Sequence, residues 1–359
     1  MLEAVHIEFS GSCNLNCCYC YHSAYSLDGR KKDELTVERW YEIIDEIVHL
    51  GCFDFAISGG EPFVLPEIIN LIDYIAGKQV KRIAIFTNGM LLNKEILSTL
   101  SDLTPKIEFR VSYDGLKKGD IARKGAKHVY IRSMIELMRT MKFPVVVNTL
   151  ATKYSVVDIF DTYKDMVNIG IQKWLIDFPF RDGRAQSEWK TGIPCDTVLD
   201  KICQLTLKYI NEQPNFVLEV SNLFKSQMLT NPFFVFDKKS GTCSYMKNGI
   251  TIRPNGQVLI CPTLDYACGN VSQNELKPIL SSKKRYELLN ITVDSLEKCN
   301  QCKYLSICGG GCRADALIER GSLYTYDPVA CKLMETMEEK LLSAFPLSFQ
   351  AKVKECIEC

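Results

Sequence analysis

Four cysteines crowd into eight residues near the start of the chain, within SGSCNLNCCYCYH (Ser10 to His22). Three of them, Cys13, Cys17 and Cys20, have the spacing C-x3-C-x2-C. A thiolate is a strong metal ligand once it has lost its proton. Zinc sites generally use four ligands and paired C-x2-C arms. Three thiolates on one tight loop instead suit an iron–sulfur cluster with one iron left open. A second set of cysteines lies far along the chain. It runs Cys243-x12-Gly256-x4-Cys261, then Cys299-x2-Cys302-x5-Cys308-x3-Cys312, then Cys331 after 18 residues. A zinc ribbon would account for Cys299 to Cys312 and leave Cys243, Cys261 and Cys331 unexplained.

Composition limits the other uses of so many thiols. The chain has 359 residues and 17 cysteines, an odd number that rules out complete internal pairing. No apolar run approaches the roughly 18 residues of a membrane span, and Glu3 and Glu8 interrupt any signal peptide. A cytoplasmic protein is expected, where clustered cysteines bind metal or do redox chemistry more often than they form disulfides. Lys and Arg together number 43, as do Asp and Glu, so nothing marks a nucleic-acid or anionic-membrane surface. Cys52, Cys195 and Cys203 are expected as buried small hydrophobes. Cys356 and Cys359 are expected in a frayed tail. None of the four histidines is assigned a catalytic role.

Positioning the cysteines falls to an alternation of short β-rich and helical runs from residue 5 to about 180. The β-rich runs are AVHIEFS, FDFAIS, RIAIFT, IEFRVS, VVVNTL and KWLIDF. Helical patterns cover Thr36–Leu50, Glu67–Ala76, Lys94–Leu100, Val129–Met141 and Val156–Val167. This rhythm implies parallel strands with right-handed crossovers. Six units favour an open or partial barrel. The strands end in the cysteine loop, SGGEP, TNG, SYDG, the pair Asn148–Thr149, and FPFRDGRA. Functional groups of parallel α/β folds gather at such ends, so one continuous site is expected there. Beyond residue 194 the rhythm loosens, with helical patterns at Val198–Asn211 and Ser221–Leu229.

The first cysteine motif, directly after the first strand and followed by GGE after the second, resembles the radical S-adenosylmethionine (SAM) superfamily. The resemblance implies a [4Fe–4S] cluster on Cys13, Cys17 and Cys20, whose open iron is chelated by SAM. Cys18 then occupies a variable position and is a spectator. Tyr19 would pack near the adenine. Gly59, Gly60 and Glu61 would meet the SAM ammonium, with Asn88 assisting. Ser112 and Arg123 match residues that hold the ribose or carboxylate, and Arg132 could replace Arg123. The second cysteine set is similar, without a gap, to the seven-cysteine signature of SPASM domains, which bind two auxiliary [4Fe–4S] clusters. On that pattern Cys299, Cys302, Cys308 and Cys331 hold an outer cluster, and Cys243, Cys261 and Cys312 an inner one. Cys268 is the candidate fourth inner ligand; otherwise substrate could coordinate that iron. The implied fold is a partial (β/α)6 barrel over residues 1–190 and a bridging helical region over 191–240. A small α+β SPASM domain follows over 241–345, and a tail over 346–359.

The implied activity starts with an electron from flavodoxin or ferredoxin. SAM then yields a 5′-deoxyadenosyl radical that abstracts a substrate hydrogen, and the product collapses to a crosslink, a thioether or an oxidised side chain. Asp265 is the candidate catalytic side chain. The favoured substrate is a ribosomal peptide precursor, with a separate leader-binding protein as the expected partner, since the cysteine motif begins at residue 13 and no fused leader-recognition domain is expected. Sulfatase maturation is demoted. Pro262, Thr263 and Leu264 precede Asp265 where an Asp directly after the cysteine is usual in those enzymes, and their extra cysteine before Cys243 is lacking. A tetrapyrrole or sugar enzyme is the alternative, and an iron–sulfur electron-transfer protein the non-enzymatic rival.

Overall fold

A computed structural model describes residues 2–22, 24, 33–104, 106–229, 242–243 and 248–358. Thirteen strands form along the described chain: β1 Ala4–Glu8, β2 Asn16–Cys17, β3 Asp54–Ser58, β4 Arg82–Thr87, β5 Ile107–Ser112, β6 Arg123–Lys124 and β7 Val145–Leu150. They continue with β8 Lys173–Asp177, β9 Val217–Val220, β10 Phe224–Lys225, β11 Gly249–Ile252, β12 Gln257–Leu259 and β13 Ala267–Asn270. Eleven of them make one sheet in the order β10-β9-β8-β7-β5-β4-β3-β1-β11-β12-β13, and β2 pairs with β6 apart from it. The run from β9 to β11 in that order is parallel throughout.

Side-chain alternation explains the layers. Val5, Ile7, Phe55, Ile57, Ile83, Ile85, Phe109 and Val111 are buried under the helices. Those helices present Trp40, Ile43, Ile44 and Ile47 from Val37–His49, and Leu71, Ile72 and Ile75 from Ile68–Ala76. The opposite face carries His6, Glu8, Ser58, Phe86, Glu108, Arg110, Asn148 and Asp177, a polar set facing inward. Arg110 on β5 is felt by His6 on β1 and by Asp177 on β8, as expected where a curved sheet brings distant strands together around a concave face. The six expected β/α units are β1, β3, β4, β5, β7 and β8 with their helices.

Three expectations about local structure need correction. The pattern at Ser221–Leu229 forms no α-helix: strand β10 runs antiparallel to β9, and a 3-10 turn covers Ser226–Leu229. Its apolar Leu223 and Phe224 are buried at the sheet edge. The region expected to bridge by helices alone thus adds two strands, beside the long helix Asp196–Glu212. Cys195 is exposed, because it sits at the N-cap of that helix, outside its apolar face. The segment read as a frayed tail contains the helix Leu347–Glu358, whose Phe349 and Val353 are buried. Cys359 lies outside the described residues.

Candidate active site

The cysteine loop is fastened from four directions. Strand β2 within it pairs with β6, setting Cys17 opposite Arg123. The Cys18 amide donates to the Ala122 carbonyl at 2.9 Å. From the loop after β8, Arg184 donates its Nε to the Cys17 carbonyl at 2.9 Å and its amide to the Cys20 carbonyl at 3.0 Å. From the loop after β3, the amides of Gly60 and Glu61 donate to the carbonyls of Ser10 and Ser12 at 2.9 and 2.8 Å. A Cβ at Gly59 would stand 2.2 Å from the Ser10 oxygen, and one at Gly60 1.9 Å from the Ser12 oxygen. The glycines are therefore needed where two backbones touch.

Cys13, Cys17 and Cys20 come together on this loop. Burial pushes the Cys13 thiol up to about 11, and the neighbouring Cys17 and Cys20 add to the rise. Burial raises Cys17 as well, opposed chiefly by Arg123. Arg123 is fully enclosed and reaches the carbonyls of Ser112 and Asn88. It is the buried cation beside the thiols, not a solvated helix residue. Arg132, the possible substitute, lies apart on the surface, paired with Asp165 at 3.3 Å and Glu136 at 2.8 Å. Cys18 is partly exposed, and after burial Glu188 most affects its thiol.

The other sequence candidates share this strand-end layer. Asn88 donates its side-chain nitrogen to Asn14 at 2.7 Å and its amide to Glu61 at 2.6 Å. The Glu61 carboxyl also accepts from Thr87 at 2.7 Å and from the Phe63 amide at 3.3 Å, capping the turn Pro62–Val64. Burial lifts Glu61 to about 7 against those hydrogen bonds. Tyr19 is buried and donates its hydroxyl to Asp114, which in turn accepts from the Leu150 amide at 2.9 Å. Ser112 ends β5 in the same layer. Arg184, Thr87 and Asp114 escaped sequence reasoning. Their signal lay in FPFRDGRA, TNG and SYDG, where the helpers are single letters among ordinary turn residues.

The second cysteine set is brought together by short helices. Cys299, Cys302, Cys308 and Cys331 line one small hollow together with Gly310 and Asp327. Burial pushes Cys308 up to about 12 and Cys331 to about 11, with the other thiols of the set adding to each. Cys261 lies within electrostatic reach of both Cys243 and Cys312. Asp327 joins the parts: it accepts from the Cys312 amide at 2.8 Å and caps the helix Pro328–Lys340, which carries Cys331. Arg313 is buried among them, donating to the carbonyls of Leu323, Thr325 and Gly310. Cys268, on β13, packs against the same small core as Cys243, Cys261 and Cys312; it also lines a shallow hollow with Gln273, Ile279 and Ser282, and its charged neighbours are Arg285 and Lys284. Among the described residues, no three Cys, His, Asp or Glu side chains converge closely enough for a single metal ion. A cubane sets its thiolates farther apart than a single ion does.

Between the two cysteine sets lies a cavity of about 350 Å³. Its lining includes Glu8 at the end of β1, Gly59 and Gly60, and, beside them, Arg253 and Gln257 from the ends of the neighbouring strands β11 and β12. Asp265 lies at its rim, largely exposed and paired with Arg253 at 2.8 Å. Tyr21 and His22, directly after the third cysteine, also line it, and Tyr21 feels Glu8, Cys261 and Cys20. Burial lifts Glu8 to about 8 and lowers His22 to about 3.

Residues 7–166 match the radical SAM superfamily, and residues 243–303 match an iron–sulfur cluster-binding domain, SPASM. The chain is 24% identical to an AdoMet-dependent heme synthase of Methanosarcina barkeri, covering 89% of this chain and 94% of that one. It is 23% identical to a PqqA peptide cyclase of Bradyrhizobium diazoefficiens, covering 92% and 86%. The crystal structure of Streptococcus suis SuiB bound to precursor peptide SuiA superposes with a TM-score of 0.70 at 19% identity, covering 92% of this chain and 76% of that one. No helix among the described residues is long and apolar enough to cross a membrane.

Proposed function

This chain is a radical SAM enzyme with a C-terminal SPASM domain, and we propose that it modifies a peptide, most simply a ribosomal precursor, within the cavity between its two cysteine sets. The observation that carries the reading is the composition of that cavity's walls. The Gly59–Gly60 loop and the end of β1 line it together with the β11–β12 turn of the SPASM half, which sits beside β1. A substrate seated there touches both halves. The similarity to the PqqA peptide cyclase supports a peptide.

In this reading Cys13, Cys17 and Cys20 hold the SAM-binding cluster. Cys299, Cys302, Cys308 and Cys331 hold the outer auxiliary cluster, and Cys243, Cys261 and Cys312 the inner one. The donor sets fit: each consists of thiols already facing one another, and Arg123 and Arg313 offset the charge that the thiolates bring. When bound, the first cluster and SAM supply a radical that removes a substrate hydrogen. The protein's own work is to orient and to exclude water. Arg184 and the Gly60 and Glu61 amides fix the cysteine loop, and Tyr19, Asn88, Ser112 and Arg123 bound the SAM side. Flavodoxin or ferredoxin supplies the electron, and a separate leader-binding protein could present the precursor.

The similarity to a heme synthase, at much the same identity, favours a tetrapyrrole as the second reading. One experiment separates the two. The anaerobically reconstituted enzyme is incubated with SAM, reductant and the candidate precursor, and the products are read by mass spectrometry. Loss of peptide hydrogens matched to 5′-deoxyadenosine formation supports the peptide. Modification of an iron porphyrin with no change in the peptide overturns it.

A further inference from the structure

The cavity between the halves holds an unanswered carboxyl. Glu8 is 3% exposed, and its Oε1 makes no hydrogen bond. His22 Nε2 stands 3.2 Å away, and it too makes no hydrogen bond. A buried acceptor without a donor costs about 1–3 kcal/mol, and such groups in native structures call for an explanation. Four more carboxyls line the same space: Asp33, Glu34, Asp182 and Asp265. Arg253 is the only Lys or Arg among the described lining residues, and its guanidinium is paired with Asp265. Glu34 accepts from the Gly11 amide, and Asp182 from the Gly183 amide. Glu8 is thus the most deeply buried of the five acids, and the one among these described residues with a buried oxygen that makes no hydrogen bond.

We infer that this cavity seats a cationic group of the substrate, such as a lysine, an arginine or an amino terminus, with the Glu8 carboxyl as its hydrogen-bonding counter-ion. An ammonium supplies the donor that the Glu8 Oε1 lacks, and a charge closer than the one Arg253 offers from elsewhere in the cavity lining. The same wall disfavours a substrate rich in carboxylates. The inference deepens the peptide reading but rests on it only for what carries the cation.

The test uses the full reconstituted chain with saturating SAM and two blocked pentapeptides, acetyl-Ala-Ala-Lys-Ala-Ala-amide and its Glu counterpart. Dissociation constants come from ligand-observed NMR. The lysine peptide is expected to bind about tenfold more tightly, and Glu8→Gln is expected to erase the difference. Equal affinities in the wild type, or a preference that survives Glu8→Gln, overturn the inference. SAM carries an ammonium of its own, so its dissociation constant is measured in the same variant. A value within about twofold of wild type assigns the carboxyl to substrate, and a tenfold loss assigns it to SAM and overturns the inference. If Glu8→Gln does not fold, Glu8→Asp should keep the preference at lower affinity, and equal affinities there overturn it. Butylamine and butyrate form a second pair without a peptide backbone. If that pair shows the preference and the peptides bind no better, the cation site stands and the peptide reading falls.

Discussion

The two cysteine sets reach the same kind of donor cluster by opposite routes. The first takes its thiols from eight consecutive residues, Cys13 to Cys20, and fastens them to a sheet that exists for other reasons. The second collects Cys243, Cys261, Cys299, Cys302, Cys308, Cys312 and Cys331 from a stretch of short helices and turns. Its own core is small, built on Ile260, Leu264, Leu288, Ile291, Val293 and Leu296. A local loop on a large hydrophobic core should keep its shape without metal. A long-range set, resting on the main core only through residues such as Ile307, Val329, Leu333 and Met334, should depend more on metal to fold, because ligand binding and folding share one free energy. Each set has a buried arginine, but Arg123 bonds to strand ends whereas Arg313 bonds to loop carbonyls of its own region.

The sharpest break in this comparison is chemical. Cys17→Ala should abolish SAM cleavage altogether, read as 5′-deoxyadenosine by chromatography. The double change Cys302→Ala, Cys312→Ala should spare slow, substrate-independent cleavage while modified product disappears, provided circular dichroism shows a folded chain. Product at the normal rate from that variant would make the auxiliary clusters irrelevant to turnover.

Next in size is metal content. Three filled sites predict about 12 iron atoms per chain, and Cys13→Ala, Cys17→Ala, Cys20→Ala should leave about 8. Stripping the iron should make residues 243–345 sensitive to limited proteolysis while the sheet-bound half stays protected. Equal loss of protection in both halves would show that the comparison is wrong. Cys268→Ala should leave iron content and the inner cluster's spectrum unchanged if the cysteine stays beside Arg285 and Lys284. A changed spectrum would make it a ligand.

The smallest effect is on stability and concerns β1. Burial and Arg110 hold His6 down to about 4, below its ordinary 6.5. The unfolded chain therefore binds the extra proton first. The His6 contribution to stability is full above pH 6.5 and is lost as the pH drops toward 4, about 3 kcal/mol in all. Glu8, Glu61 and His22 titrate in the same window, so the His6 share is read as a difference: in denaturant melts the wild type should lose that much more stability than His6→Asn as the pH falls from 6.5 to 4.

Much of the parallel sheet was legible because period-two apolar runs and amphipathic helices carry the information locally. The helix Lys94–Leu100 falls where its pattern places it, and Thr36 caps the helix from Val37. Strands β9 to β13 were not legible. They are two to four residues long, too short to show a period, and what joins them to the parallel sheet is distant pairing, β11 with β1 and β9 with β8. At the site, spacing marked the thiols, but no spacing marks Asp327 or Arg184, which act through backbone carbonyls and amides. Glu8 was legible only as an interruption of an apolar N-terminus. That it faces a cavity emerges only once β11 has paired beside β1 and brought Arg253 and Gln257 to the same space.

The pairing of β1 with β11, from Ala4 beside Gly249 to Ile7 beside Ile252, has a mechanical consequence. The two halves are rungs of one ladder, so the path an electron would take between them has its length set by main-chain hydrogen bonds. A hinge would let that length fluctuate, and tunnelling rates with it; a shared sheet holds both steady. Cutting the chain before β11 would leave β1 as a bare edge, open to pairing with another molecule. A fragment ending near residue 230 should accordingly self-associate in gel filtration where the full chain does not.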